Sequence, residues 1–184
     1  MAQHQDVVDL LKQQHERIRR LFDEVANTKG DERTGHFREL IHLLAVHETA
    51  EEEVVHPFAR RNIHNGGRVV DDRIEEEETA KRTLNRLEDM DVDSAEFLDG
   101  FATLRQDVLA HAEAEEKHEF AHFRATTDRD KLENLARAVK AAEAVAPTRP
   151  HPGVATAAEN LAAGPVASVV DRTRDVVRKA INKP

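Results

Sequence analysis

Two stretches of the sequence repeat the same arrangement of histidine and glutamate residues. The segment HETAEE begins at His47 and the segment HAEAEE begins at His111, and each places a glutamate, Glu51 or Glu115, four residues after its histidine. Side chains four residues apart on an α-helix lie about 40° apart around its axis and one turn apart along it, so both can face one centre. Imidazole and carboxylate groups are common ligands of metal ions in proteins. The repeat therefore predicts a metal site built from two helices.

Each copy of the repeat has a candidate partner about one helix upstream. His15 precedes His47 by 32 residues, and Glu77 precedes His111 by 34 residues. If the fold consists of two similar helical hairpins, His15 and Glu77 occupy corresponding places in the first and third helices. Glu77 lies in phase with the apolar residues of its segment, and Glu78, one residue off this face, is the alternative.

The predicted ligand set contains three imidazoles and three carboxylates: His15, His47, Glu51, Glu77, His111 and Glu115. Six ligands from four helices fit two cations better than one, because carboxylates can bridge and neutralise a pair of metal ions in a dry core. Without cations, three buried carboxylates would repel one another. His118 is also in phase and stays open as a further ligand or as a donor that orients a carboxylate. His56, just before Pro57, is expected near a helix end, and His122 is expected one turn beyond the site.

At these residues the chain resembles the hemerythrin-like, or HHE cation-binding, family over roughly residues 4–145. The family pattern has a histidine on the first helix and HxxxE on the second and fourth helices. The resemblance implies that His15, His47 and His111 are terminal ligands of two iron ions, and that Glu51 and Glu115 bridge them together with an oxo or hydroxo group. It further implies a small-molecule ligand, namely hydrogen peroxide, dioxygen or nitric oxide, and catalase-like peroxide disproportionation as a candidate enzyme activity.

The third helix departs from this family pattern, which usually places one or two histidines there. Between Val70 and Met90 the sequence offers only glutamates. A carboxylate in place of an imidazole adds negative charge at one iron, which favours the ferric state and weakens reversible dioxygen binding. We therefore expect peroxide or nitric oxide chemistry rather than oxygen carriage. The alternative is an iron-sensing or redox-sensing module whose metal state controls docking of a C-terminal helix.

Four amphipathic helices are needed to position these side chains. Apolar residues recur at steps of three, four and seven through four segments, which are separated by breaks at residues 27–31, 62–67 and 91–93. Short turns between such helices favour antiparallel neighbours. The sequence thus predicts an all-α, up-down-up-down antiparallel four-helix bundle over residues 1–145. The bundle is followed by a linker rich in Pro, Ala and Gly over 146–165 and by a short amphipathic helix over 166–184. We expect this helix to dock on the bundle, and the alternative is a partner or membrane surface.

The composition of the 184 residues excludes several functional classes. Because the chain has no Cys, thiolate metal sites, iron–sulfur clusters and cysteine nucleophiles are ruled out. The net charge of −9 argues against nucleic acid as the main partner. With no secretory signal pattern and no run of about 20 apolar residues, we expect no membrane span and a cytoplasmic protein. The absence of Tyr and Trp favours two-electron chemistry over radical transfer.

Overall fold

The secondary structure is helical throughout the residues described by the computed structural model, which are 5–146, 176–177 and 179–181. No strand occurs in these ranges. The helices are α1 (Val7–Asn27), α2 (Gly30–Ala50), α3 (His56–Asn62), α4 (Gly66–Glu88), α5 (Ala95–Ala114), α6 (Ala121–Thr126) and α7 (Arg129–Glu143). Two π-helical segments, Glu51–Val55 and Glu115–Phe120, join α2 to α3 and α5 to α6. Of the predicted C-terminal segments, the linker after residue 146 and most of the final helix lie outside the described residues.

Four long helical stretches correspond to the four helices predicted from the apolar spacing. They are α1, the α2–α3 stretch, α4 and the α5–α6 stretch, and the predicted breaks separate them. Helix α1 packs on α2 and on α5, and α4 packs on α3 and on α5. These contacts are consistent with the up-down-up-down bundle. Among the described residues, no helix is long and apolar enough to cross a membrane.

Local sequence signals explain where these helices begin. The Asp6 carboxylate accepts a hydrogen bond from the Asp9 N–H at 2.8 Å, and the Ser94 hydroxyl accepts one from the Phe97 N–H at 3.1 Å. Such caps satisfy N–H groups that have no partner inside the helix. At the start of α4, a β-carbon on Gly66 would overlap the Ala59 carbonyl oxygen. The tight turn between α3 and α4 therefore requires glycine at this position.

Helix α7 is not among the four predicted helices. Its buried residues include Leu132, Leu135 and Val139, and it packs against α1, α2 and the first π-helical segment. Its buried face also contains small alanines, among them Ala138 and Ala142. Helix α7 covers one side of the bundle.

A polar layer divides the core into two apolar clusters. Along α1, Leu11 belongs to the first cluster and Ile18 to the second, and the buried His15 lies between them. In the chain segment around the second copy of the repeat, Val108 belongs to the second cluster and Phe120 to the first. The two clusters therefore enclose the histidines and glutamates from both ends of the bundle.

The described part of the C-terminal segment, residues 176–177 and 179–181, is helical and packs on the first cluster. Val177 and Ala180 are buried, and Ile181 is partly buried against the same cluster. The Lys131 ammonium group donates a hydrogen bond to the Ile181 carbonyl oxygen at 3.1 Å. These residues therefore pack on the first apolar cluster, which lies on the other side of the polar layer from Ile18.

The stability of the second cluster depends on its aromatic residues. Phe97 is fully buried and its ring stacks on that of Phe101 at a centroid distance of 5.6 Å. We expect Phe97→Ala to lower the free energy of unfolding by about 3–5 kcal/mol, because it leaves a cavity in a packed core. Leu98→Ala, at a neighbouring side chain that is 40% exposed, should cost less than about 1 kcal/mol. Urea unfolding followed by circular dichroism measures both, and equal losses would contradict this assignment of the core.

Candidate metal centre

All six residues predicted as ligands converge in the polar layer. One group of potential ligand atoms comes from His15, His47, Glu51 and Glu115, and a second group comes from Glu51, Glu77 and His111. Within each group, all the atoms lie within 4.8 Å of one another. Five of the six residues are buried, and the His111 side chain is 11% exposed. The structure thus brings together two adjoining groups that share Glu51.

The carboxylates of Glu51 and Glu115 lie near histidines of both groups. Oε1 of Glu51 is 3.1 Å from Nε2 of His47, and Oε2 of the same carboxylate is 3.9 Å from Nε2 of His111. Oε2 of Glu115 is 3.4 Å from Nε2 of His15 and 3.5 Å from Nε2 of His111. Nε2 of His111 also lies 4.0 Å from Oε1 of Glu77. Each of the two glutamates of the repeat therefore lies close to two histidines, through both oxygens in Glu51 and through Oε2 in Glu115.

The outer nitrogen of each of the three histidines contacts a side-chain oxygen. These pairs are His15 with Glu116 at 3.0 Å, His47 with Gln14 at 2.7 Å, and His111 with Glu76 at 2.9 Å. Because each partner atom is an oxygen acceptor, Nδ1 donates its hydrogen and Nε2 faces the centre. Histidines that bind metal ions usually donate their second N–H in this way, which fixes the ring orientation.

The buried carboxylates lack the hydrogen-bond donors that would otherwise stabilise their charge. Both oxygens of Glu51, both oxygens of Glu115 and Oε2 of Glu77 are buried and have no hydrogen-bond partner. Leaving a charged group in this state is costly unless a cation compensates it. Oxygen atoms without donors, together with Nε2 atoms facing the same interior, are a donor set that fits metal cations.

The titration of the site reflects its negative potential. Burial by itself lowers the pKa of His47 and of His111, but the nearby carboxylates of Glu51 and Glu115 outweigh burial and raise both values. Burial raises the pKa of Glu51, but the charges of the two histidines bring it well below its usual range. Protons on the imidazoles therefore compensate the carboxylates when no metal ion does. Metal ions must displace these protons.

Each glutamate of the repeat is the first residue of a π-helical segment. In the first segment the His56 N–H donates to the Glu51 carbonyl, five residues back, and the following residue, Pro57, has no N–H to continue an α-helical pattern. A π-helical turn contains an additional residue and thus rotates the side chains beyond it by about 100° relative to a regular α-helix. Such turns are frequent at functional sites.

This rotation places inside the protein a histidine, His56, that we expected near a helix end and did not include in the ligand set. His56 is nine residues after His47, so a regular α-helix would put it about 180° away from that histidine. In the structure His56 is buried, and its Nε2 is 2.6 Å from Oε1 of Glu77. The charge of Glu77 outweighs the effect of burial and raises the pKa of His56 to about 9. Pro57, after the repeat, is the signal of an irregular turn.

A second buried residue near the site, Glu119, was also not predicted. It lies four residues beyond Glu115, and its Oε1 accepts a hydrogen bond from Nε of Arg73 at 2.9 Å. Burial, together with the charge of Glu115, raises the pKa of Glu119 to about 7, although Arg73 opposes this rise. Its spacing from Glu115 is the feature of the sequence that could have identified it, because residues four apart lie on the same face of a helix.

The other candidates from the sequence lie away from the centre. His118 is exposed, and Nε2 of His122 donates to the Asn62 carbonyl at 2.9 Å. Glu78, the alternative to Glu77, is partly exposed and contacts Nε of Arg82 at 3.3 Å. Of the two neighbouring glutamates, it is Glu77 that the structure brings into the site.

A small cavity of about 20 Å³ adjoins the two groups. Ligand candidates form part of its wall, and five apolar side chains form another part, namely Ile18, Leu44, Ala80, Val108 and Ala112. A cavity of this size holds about one water-sized molecule.

The fold and the site together define a class of protein, namely a helical protein with an interior His and Glu site for metal cations. The chain belongs to the hemerythrin HHE cation-binding domain family, whose sequence profile matches residues 6–123. A DNA nickase from Nostoc sp. is 26% identical over 142 residues, which cover 77% of this chain and 40% of that protein. The chain thus spans less than half of that relative's length. No solved structure matches the chain significantly.

Cation binding at this site can be tested by removing one buried charge. We expect Glu115→Gln to weaken metal binding at least about tenfold. The metal-free variant should still fold, because the neighbouring imidazoles can release the protons that compensate this carboxylate. Glu113→Gln, at an exposed position of the same helix, is the matched control. Metal content after dialysis and thermal unfolding of the metal-free forms are measured, and full metal retention by Glu115→Gln would contradict the assignment.

Proposed function

We propose that the protein is a non-haem di-iron protein, built as an up-down-up-down four-helix bundle, that reacts with hydrogen peroxide, dioxygen or nitric oxide. The observation that carries the proposal is the position of the Glu51 carboxylate. One of its oxygens lies 3.1 Å from Nε2 of His47, and the other lies 3.9 Å from Nε2 of His111. A carboxylate facing two histidines from opposite helices fits two ions better than one.

The six residues would divide between two iron ions. His15 and His47 would bind one ion, Glu77 and His111 would bind the other, and both carboxylates of the repeat would bridge them. Iron is favoured because an imidazole and carboxylate set with room for a further ligand suits non-haem iron chemistry. Bound iron would supply the redox chemistry by exchanging electrons with a small oxidant.

The protein itself would select the ligand by size and by exclusion of water. The cavity beside the site, with its volume of about 20 Å³, admits a molecule as small as peroxide, dioxygen or nitric oxide. The apolar part of its wall, which includes Leu44 and Val108, would disfavour water beside the polar layer. The three histidines are held in place by their outer hydrogen bonds, so that their Nε2 atoms stay oriented toward the interior.

Peroxide chemistry is favoured over oxygen carriage by the donor set of the second ion. In this set the carboxylate of Glu77 is accompanied by a single imidazole, that of His111. The negative charge of the carboxylate would stabilise the ferric state. Catalase-like disproportionation of peroxide is the enzymatic form of this proposal. DNA nicking is not part of it, because the chain spans 40% of the nickase and carries a net charge of −9.

A second candidate function is an iron-sensing or redox-sensing module. The His15 ring stacks on Phe120 at a centroid distance of 5.6 Å, and Phe120 belongs to the apolar cluster on which Val177 and Ala180 pack. A continuous set of contacts thus connects a ligand candidate to the C-terminal segment. A change in metal state that shifts His15 would alter the docking of that segment.

Iron loading and peroxide consumption test the first function. The purified chain should contain two irons per molecule and absorb in the near ultraviolet, as ferric ions with oxygen ligands do. His47→Ala should lower the iron content to one or fewer and abolish peroxide consumption. His42→Ala, at an exposed histidine of the same helix, should leave both unchanged. A colourless, metal-free and fully folded preparation of the parent protein would rule out the proposal.

Limited proteolysis of the C-terminal segment separates the two functions. If the protein is a sensor, the rate of cleavage after residue 146 should differ at least severalfold between the ferrous and ferric forms. If it is an enzyme alone, cleavage should be equal in both forms while peroxide is consumed. A difference in cleavage without peroxide consumption would favour the sensor.

A further inference from the structure

One buried histidine next to the centre belongs to neither group of ligand atoms. His56 lies at the start of α3 and is 2% exposed, and its Nε2 is 2.6 Å from Oε1 of Glu77 on α4, which is 3% exposed. Helix α4 itself contains no histidine. The only imidazole that contacts Glu77 within hydrogen-bond distance in the described structure therefore comes from a different helix.

The direction of this hydrogen bond follows from the chemistry of its two atoms. The oxygen of an ionised carboxylate is an acceptor only, so Nε2 of His56 carries the hydrogen and donates it. The second oxygen of Glu77, Oε2, is buried and has no hydrogen-bond partner. One oxygen of the carboxylate is thus fixed by a donor, and the other keeps its lone pairs for another partner.

This arrangement distinguishes Glu77 from the other two carboxylates of the centre. Neither oxygen of Glu51 or of Glu115 has a hydrogen-bond partner. Glu77 instead has a donor on α3, which packs against α4. A donor on a neighbouring helix restricts the rotation of the carboxylate group about its side chain.

We propose that His56 is the positioning residue of Glu77. Its Nε2–H holds Oε1, the oxygen that lies 4.0 Å from Nε2 of His111, and so keeps the Glu77 carboxylate turned toward the metal ion next to His111. This inference rests on the proposed di-iron function and adds a residue to it. His56 acts through Glu77 and does not itself bind the metal, so its removal affects the ion next to His111 and leaves the ion between His15 and His47 unchanged.

The consequence can be measured separately for the two ions by Mössbauer spectroscopy of the full chain loaded with ⁵⁷Fe. In His56→Ala, the signal of one iron should change while that of the other is retained, and affinity for one iron should fall by about 10–100-fold. In His56→Gln, whose side-chain amide supplies an N–H at a similar distance, most of this affinity should return. His118→Ala, at an exposed histidine near Glu115, should match the parent protein.

A double variant tests whether His56 acts through Glu77. Glu77→Gln should change the same iron signal as His56→Ala, and combining the two substitutions should add little further loss, because residues that act as a unit are not additive. Additive losses would overturn the inference. Equal loss of iron in His56→Gln and His56→Ala would also overturn it, because that result indicates direct binding of metal by His56.

The remaining outcomes separate this inference from the proposed function. If the parent protein binds two irons and His56→Ala has the parent spectrum, the inference fails and the di-iron function stands. If the parent protein binds no iron, both fail. If His56→Ala does not fold, as judged by circular dichroism, the Mössbauer spectra of His56→Gln and Glu77→Gln test the inference instead. A parent spectrum in Glu77→Gln would then overturn the inference.

Discussion

The compensation of buried negative charge is the constraint on which the rest of the structure depends. Glu51 and Glu115 are fully buried, and none of their four oxygens has a hydrogen-bond partner. Transfer of an ionised carboxylate from water to a protein interior costs several kcal/mol unless a positive charge accompanies it. The histidines facing these glutamates can provide that charge as protons, as the raised pKa values of His47 and His111 indicate. Metal cations provide it more fully, and they leave the imidazoles neutral.

The helices meet this constraint by enclosing the polar layer between two apolar clusters. Large side chains such as Phe22 and Phe97 on one side and Leu11 and Phe120 on the other pack the helices together. Packing on both sides fixes the backbone at the level of the site, so the ligand candidates need no loop to position them. The π-helical segments provide a local adjustment, because they let a histidine face the interior at a position where a regular α-helix would turn it away.

The two halves of the centre are chemically different. The first half contains two imidazoles, His15 and His47, whereas the second combines one imidazole, His111, with the carboxylate of Glu77. His56 donates a hydrogen bond to Glu77, which is a carboxylate of the centre. The other three histidines donate their outer N–H to side-chain oxygens away from the centre. Two ions in such surroundings would differ in charge and in access to a small ligand.

The sequence by itself determined the helical class and the six residues that meet in the interior. Both follow from local regularities, because the 3.6-residue period fixes which side chains share a face, and the HxxxE spacing places a histidine and a glutamate on adjacent turns. Apolar residues on either side of His15, such as Leu11 and Ile18, also revealed that it lies in a core. The roles of these residues as iron ligands, and the linker expected over 146–165, stay predictions.

Only the tertiary structure decided which groups contact one another across helices. Helix α7, the partners Gln14 and Glu116 of the histidines, and the contact between His56 and Glu77 all depend on residues distant in sequence. The inward position of His56 further depends on a π-helical turn, which shifts the register by one residue. A rule based on a constant helical period cannot include that shift, because one additional residue in a turn rotates every side chain beyond it by about 100° around the helix axis.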